Sequence, residues 1–252
     1  MADILKSLVL SLQEFFVLTG KALANLFRRP RYWADVITQM DRIGVGSLPI
    51  VVLAGAFIGA VMAIQMSKTL EQYGQTERVG QIVSFTIVTQ LGPMMTSLLV
   101  AGRNASGIAS ELGSMKVTEQ IDAMRALGTD PIQKLVTPRM TAMAVMLPVL
   151  TVIFDYVAML GGWLVALFVL QGVTTPVFWT GVYTILEWSN VAQGLITPFI
   201  NAFIISLVGC YCGMRTSGGT QGVGKSTTEA VVMSSVWVFV LNLFLTQIFV
   251  SL

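Results

Sequence analysis

Apolar residues are gathered into five long runs, about Leu48–Met66, Ile82–Gly102, Met140–Leu170, Val191–Met214 and Ala230–Leu252. A helix needs about 20 mostly apolar residues to cross a hydrocarbon layer of roughly 30 Å, so each run predicts a membrane span. Backbone N–H and C=O groups find no water partner in lipid, which makes the spans helical, and the lack of two-residue alternation argues against a β-barrel. The third run covers about 31 residues and is expected to tilt or to continue past one face of the membrane. The N-terminus has a different rhythm. Leu5, Leu8, Leu12, Phe15, Leu23 and Leu26 recur at helical spacing among Lys6, Glu14, Lys21 and Asn25, so residues 1–31 predict an amphipathic helix. It is expected to break near Gly20 and to end at Arg28-Arg29-Pro30-Arg31. Such a helix lies in the membrane interface or packs on the bundle, and the two readings are compatible. The expected fold is an all-α membrane protein forming one domain over residues 1–252, with one interfacial helix and five spans.

Composition sharpens this picture. Of 252 residues, 54% are hydrophobic and 11% charged, against roughly 25% charged in soluble domains. That excludes an ordinary soluble enzyme. A net charge of +2 is too balanced for a nucleic-acid binder. With no histidine in the chain, the commonest general base and the commonest zinc ligand are both missing, and no metal site is expected. Cys210 and Cys212 lie one residue apart in an apolar run and form no disulfide framework.

Basic residues orient the spans. With the N-terminus inside, 13 of the 15 Lys and Arg fall in cytoplasmic segments and only Lys68 and Arg78 fall outside, which places the C-terminus on the outer side. Between the second and third spans, Arg103–Arg139 carries nine charges on the cytoplasmic side. Its centre, residues 114–127, predicts one short helix with Met115, Val117, Ile121 and Met124 on an apolar face and Lys116, Glu119, Asp122 and Arg125 elsewhere. Gly128 is expected to end it and Pro131 to delay the next helix. The segment either docks a soluble partner or packs on headgroups and its own bundle.

The run Glu111-Leu-Gly-Ser-Met-Lys-Val-Thr-Glu-Gln-Ile-Asp-Ala-Met124, with Ala126-Leu-Gly-Thr-Asp-Pro131 and Val136-Thr-Pro-Arg139, resembles the MlaE (YrbE) family of ABC-transporter permeases. Gly55-Ala-Phe-Ile-Gly59 with Gln65, and Leu91-Gly-Pro93 with Ala101-Gly-Arg103, are similar to that family's first two spans. The resemblance implies a homodimeric, non-enzymatic transport subunit of the bacterial inner membrane. It implies a cytoplasmic ABC ATPase partner that holds the ATP and Mg while this chain binds no cofactor. A periplasmic MCE-domain partner, a small STAS-type accessory subunit, phospholipid cargo and a role in outer-membrane lipid asymmetry also follow from it. On this basis Glu111, Met115, Lys116, Glu119, Ile121, Asp122, Met124 and Arg125 are the candidate ATPase-coupling residues. The candidate lipid-cavity residues are Phe57, Val61, Gln65, Gln90, Leu91, Leu241 and Leu245, with the first and fifth spans pairing across the dimer. Many relatives carry Arg-Glu where this chain has Thr89-Gln90, so the headgroup contact is expected to differ.

Other features carry two readings each. Asp155, deep in the third span with no Lys or Arg inside a span to pair with, either couples to transport or hydrogen-bonds a neighbour such as Thr151. Gly55 and Gly59 permit close helix approach within a subunit or across a dimer. Gln65, Gln90, Asn201 and Asn242 are interhelical bonds or headgroup contacts, and Pro93, Pro148 and Pro198 are expected to kink their spans. Gln171–Asn190, with Phe178, Trp179, Tyr183 and Trp188, is expected to anchor at the outer interface or to form a half-inserted helix. Gly219-Thr-Gln-Gly-Val-Gly-Lys-Ser226 spells a phosphate-binding loop, yet that loop requires a buried strand before it. Here a membrane span precedes it, so a tight inter-span turn with Lys225 reaching headgroups is expected. The alternatives to a permease are a membrane NTPase using this turn, or a stand-alone channel or secondary transporter, which would be expected to show inverted repeats or buried charge pairs.

Overall fold

The computed structural model describes residues 2–26, 32–169 and 173–251, and every regular element among them is helical. Helix α1 (Ala2–Asn25) is followed by α2 (Trp33–Gln72). A 3₁₀ turn (Thr76–Arg78), α3 (Val79–Thr86), a π-helical turn (Ile87–Leu91), α4 (Gly92–Val100), a second π-helical turn (Ala101–Ala105) and α5 (Ser106–Val117) then follow one another in the chain. After α6 (Gln120–Ala126), a third π-helical turn (Ile132–Val136) leads into α7 (Thr137–Val169). Helices α8 (Thr175–Ile185), α9 (Trp188–Met214) and α10 (Gly219–Ser251) complete the chain. Among the described residues, five stretches are long and apolar enough to cross a membrane: Trp33–Gln72, Thr76–Val117, Ile132–Phe168, Trp188–Met214 and Gly219–Phe249. Each contains the centre of one predicted span, and all begin before it. Hydropathy marks the lipid-facing length only, whereas the backbone stays helical until a capping signal ends it.

Helix α1 is continuous through Gly20, contrary to the expected break. A lone glycine in a helix costs only about 1 kcal/mol relative to alanine, which its neighbours absorb. The expected stop at residues 28–31 lies outside the described residues. Pro131 also departs from expectation. Instead of delaying the next helix it opens it, because Asp130 acts as the N-cap, its Oδ1 accepting from the Ile132 N–H at 2.9 Å. Proline belongs at the first helical position, where its missing N–H is no loss.

The chain forms two compact units. One comprises Met1–Ile43, Ala101–Ala144 and Ala202–Trp237. Its core includes Leu18 and Ala22 of α1, with Ile43, Leu112, Ile121, Met140, Met143 and Val208. Helix α1 packs on the Ile132–Val136 turn, and Asn25 Nδ2 donates to Asp130 Oδ2 at 3.2 Å. Phe15 meets Tyr211 edge to face with centroids 5.6 Å apart. On the other side of α1, Leu10, Phe16, Val17 and Leu23 are exposed. One face of α1 therefore packs on protein, as one of the two readings expected, and the other carries exposed apolar side chains.

The second unit comprises Gly44–Val100, Val145–Asn201 and Val238–Leu252. Helices α2 and α7 cross at Gly59, where a Cβ would fall 1.8 Å from the Ala158 carbonyl oxygen. The small-residue spacing thus serves packing within one subunit. Helix α8 packs on α3, and Phe178 and Val182 are buried in a cluster with Val88, Met159, Ala166 and Val173. Phe178 is accordingly a core residue rather than an interfacial anchor, while Tyr183 and Trp188 stand exposed. Asn201 Nδ2 donates to Ser97 Oγ at 3.0 Å, an interhelical bond as expected.

Candidate functional site

The segment between the second and third spans has an architecture that periodicity did not reveal. Residues 114–127 are not one helix. Ser114–Val117 end α5, and the chain turns at Thr118 and Glu119 before α6 begins. The Thr118 N–H donates to the Ser114 carbonyl at 3.0 Å and the Glu119 N–H to the Lys116 carbonyl at 3.1 Å. Glu119 takes a left-handed backbone, φ 59°. That conformation costs a non-glycine residue about 1 kcal/mol or more. Replacing Glu119 with glycine is expected to raise stability by about 0.5–1 kcal/mol, read as a higher thermal midpoint of the purified chain in detergent. A lower midpoint would show that the turn is unstrained.

Gly128 ends α6 as expected. At φ 77° it lets its own N–H reach the Arg125 carbonyl at 3.0 Å and the Thr129 N–H reach the Met124 carbonyl at 3.0 Å. This paired arrangement satisfies the last carbonyls of the helix.

Burial sorts the candidate coupling residues. Ile121 is fully buried and anchors α6 to its own unit, so it is not available to a partner as expected. Met115 and Met124 are half-buried. Lys116 donates to Asp122 Oδ2 at 2.7 Å and Arg125 Nη1 stands 3.2 Å from Oδ1, so Asp122 ties the two helices together. The Lys116 hydrogen bond holds the Asp122 carboxyl below the usual carboxylate range. Leu127, 84% exposed, caps the C-terminal end of α6, and Glu119, Gln120 and Asp122 at its N-terminal end are exposed as well. Periodicity missed Leu127 because it looks like the last turn of an apolar stripe. Its signal is the glycine just after it, which ends the helix before the leucine can be covered.

Glu111, part-exposed, bridges two arginines. Its Oε2 accepts from Arg139 Nη2 at 2.8 Å and its Oε1 from Arg42 Nη1 at 3.3 Å, clamping α2, α5 and α7 together. The Arg139 side chain is 4% exposed. Its Nη1 donates to the Leu135 carbonyl at 2.7 Å, while its Nε is buried without a partner. Beside the clamp, Lys134 pairs with Asp35.

The candidate lipid-cavity residues lie in the second unit. Phe57, Val61 and Gln65 follow Leu53 at four-residue spacing down one exposed face of α2. Gln90, Leu91, Leu241 and Leu245 are half-buried. Gln90 lies in the π-helical turn, and its Nε2 donates to Thr246 Oγ1 of α10 at 3.2 Å. Pro93 cannot donate to the Thr89 carbonyl four residues back, and Gln193 Nε2 donates to that oxygen instead at 3.3 Å. The Thr89-Gln90 pair is thus bonded within the unit.

Asp155 does not bond Thr151, whose hydroxyl donates to the Leu147 carbonyl at 2.9 Å. Its carboxylate sits over Gly92, Oδ1 lying 1.7 Å from where a Cβ would be, and that oxygen is buried without a hydrogen-bond partner.

The phosphate-loop spelling is resolved by backbone. Gly218 and Gly219 take positive φ and make the turn, and α10 starts at Gly219, well before the expected Ala230. From there the run through Ser226 is helical, so its later amides are committed to the helix and cannot cradle phosphates. Among the described residues no strand precedes it. Lys225 is 79% exposed and pairs loosely with Glu229 at 3.8 Å.

Comparison with known proteins matches these features to one group. The profile of the family described as Permease MlaE matches residues 36–248. A Rickettsia bellii protein named as a probable ABC transporter permease is 35% identical, covering 95% of this chain and 92% of its own length. The Haemophilus influenzae intermembrane phospholipid transport system permease protein MlaE is 31% identical over 93% of both chains. The Arabidopsis thaliana chloroplastic protein TRIGALACTOSYLDIACYLGLYCEROL 1 is 33% identical over 92% of this chain and 66% of its own.

Proposed function

The chain belongs to the MlaE permease family, and on that premise we propose that it is the membrane-spanning subunit of an ATP-driven phospholipid transporter. Two copies pair through their first and fifth spans. The exposed stripe of α2 with Gln65, and the Gln90 turn beside α10, line the lipid path. The N-terminus is cytoplasmic and the C-terminus periplasmic, in the bacterial inner membrane, as the distribution of Lys and Arg favours. A cytoplasmic ABC ATPase, holding ATP and Mg, engages α6. An MCE-domain protein waits on the periplasmic side, a STAS-type subunit accompanies the ATPase, and the assembly serves lipid asymmetry of the outer membrane.

One observation carries this reading. Ile121 seats α6 on its own unit, and the Glu119 turn and Gly128 hold Leu127 and the charged face outward. A buried anchor with an exposed apolar tip and flanking charges suits a groove in a soluble partner. The arrangement is rigid, so a push on the tip reaches α5 through the Asp122 pairs and α7 through the Glu111 clamp. Replacing Leu127 with aspartate removes an exposed side chain and leaves the fold intact. It is expected to weaken ATPase retention at least tenfold, as loss of an interface anchor worth about 1.4 kcal/mol or more does, and lipid transfer by the reconstituted complex falls with it. Co-purification and transfer both surviving at wild-type level would refute the docking assignment.

A further inference from the structure

At the turn between α9 and α10, a cavity of about 450 Å³ opens to the surface. Cys212 and Met233 line it, Sγ to Sδ 4.0 Å, together with Arg215, Lys225, Ser226 and Glu229. The Ser226 hydroxyl accepts from Thr216 Oγ1 at 2.8 Å. Each cation has a carboxylate neighbour, and Arg215 Nη1 also donates to the Tyr211 hydroxyl. Arg215 Nε is 3.4 Å from Glu14 of α1, and Lys225 Nζ is 3.8 Å from Glu229, both longer than a close charge-assisted bond. Arg215 is also held against the Tyr211 ring at 5.3 Å, and Phe15 of α1 braces that ring. The guanidinium is therefore positioned before any ligand arrives.

We propose that this cavity binds the phosphodiester headgroup of a membrane phospholipid, with Arg215 and Lys225 on the phosphate and the start of an acyl chain against Cys212 and Met233. The location favours a lipid over a soluble phosphate, because α9 ends at Met214 and α10 starts at Gly219, both ends of stretches long and apolar enough to cross a membrane. The exposed apolar face of α1 beside the cavity also belongs at a bilayer surface. Cys212 and Met233 in the lining suit a hydrocarbon chain and offer a free phosphate nothing. The proposal concerns a lipid resident at this turn and does not depend on what the protein transports.

The test is photo-crosslinking of the purified full-length chain in mild detergent. The probe is a short-chain phosphatidylglycerol carrying a diazirine on one acyl chain, and the control is a diacylglycerol with the same chain. The expected result is labelling of the segment 211–233 by the phospholipid and not by the diacylglycerol. Lys225→Gln, at an exposed position that leaves folding unchanged, is expected to raise the half-saturating probe concentration about fivefold, from about 1 kcal/mol per cation near a phosphate. Adding Arg215→Gln takes the increase to about thirtyfold. Labelling elsewhere, equal labelling by the diacylglycerol, or an unchanged half-saturation in Lys225→Gln would overturn the proposal. Competition by millimolar inorganic phosphate as effective as by unlabelled phospholipid would overturn the lipid assignment and leave the site to free phosphate.

Discussion

Glu111→Ala is expected to lower the unfolding free energy of the purified chain by about 3 kcal/mol, because removing one partner of a buried pair leaves the other charged and unpaired. The arginine left behind is Arg139, whose side chain is 4% exposed and keeps only its bond to the Leu135 carbonyl. Glu111 itself is 41% exposed, which puts the effect at the low end of the range for buried pairs. Arg139→Met is expected to cost much less, since it removes the buried charge, fills the volume, and leaves Glu111 with Arg42 at 3.3 Å. The order of the two variants in denaturant or thermal unfolding is the measurement. If Arg139→Met proves as damaging as Glu111→Ala, the clamp contributes through packing and not charge. Arg42→Ala, which removes a partner 60% exposed, is expected to stay within about 1 kcal/mol of wild type.

The second large effect is steric. A Cβ at Gly59 would lie 1.8 Å from the Ala158 carbonyl oxygen and 2.5 Å from its carbon. These are backbone atoms of α7, so no rotamer change relieves the clash and the helices must separate. Gly59→Ala is expected to cost at least 3 kcal/mol, the upper end of over-packing, and to leave little folded protein in detergent. Ala158→Gly is expected not to rescue it, because the obstructing oxygen remains. Gly20→Ala is the matched control. Nothing lies within 4 Å of that position in α1, so the substitution is expected to stabilise by up to about 1 kcal/mol through helix propensity. A folded, wild-type-like yield of Gly59→Ala would place the small-residue spacing outside the α2–α7 crossing.

Much of the coupling segment was legible in the sequence. Gly128 was readable as a terminator because a left-handed position after a helix favours glycine, and the structure uses it in that way. The turn at Thr118-Glu119 was not readable. Neither residue is a helix breaker, and α6 is turned only because Ile121 finds a buried seat while Asp122 bridges Lys116 and Arg125. The gain from that seat outweighs the strain at Glu119. Asp130-Pro131 illustrates the opposite error. The pair reads as an obstacle only if the cap is ignored, and as an N-terminus once the aspartate is seen to accept the Ile132 N–H.

By itself the sequence determined the number and order of the spans, the amphipathic helix ahead of them, and the family to which the chain belongs. These follow from local quantities: the length of an apolar run, the period of a stripe, the spelling of a motif. Only the tertiary structure decided which way the polar groups point. Glu111 reaches arginines on two other helices, one of them 69 positions away. Gly59 serves a crossing with Ala158 of the same subunit, and Leu127 is left bare while Ile121 is covered. The physical reason is common to all three. Whether a charge, a glycine or a leucine is buried depends on what another helix brings against it, and that neighbour is set by the packing of distant segments.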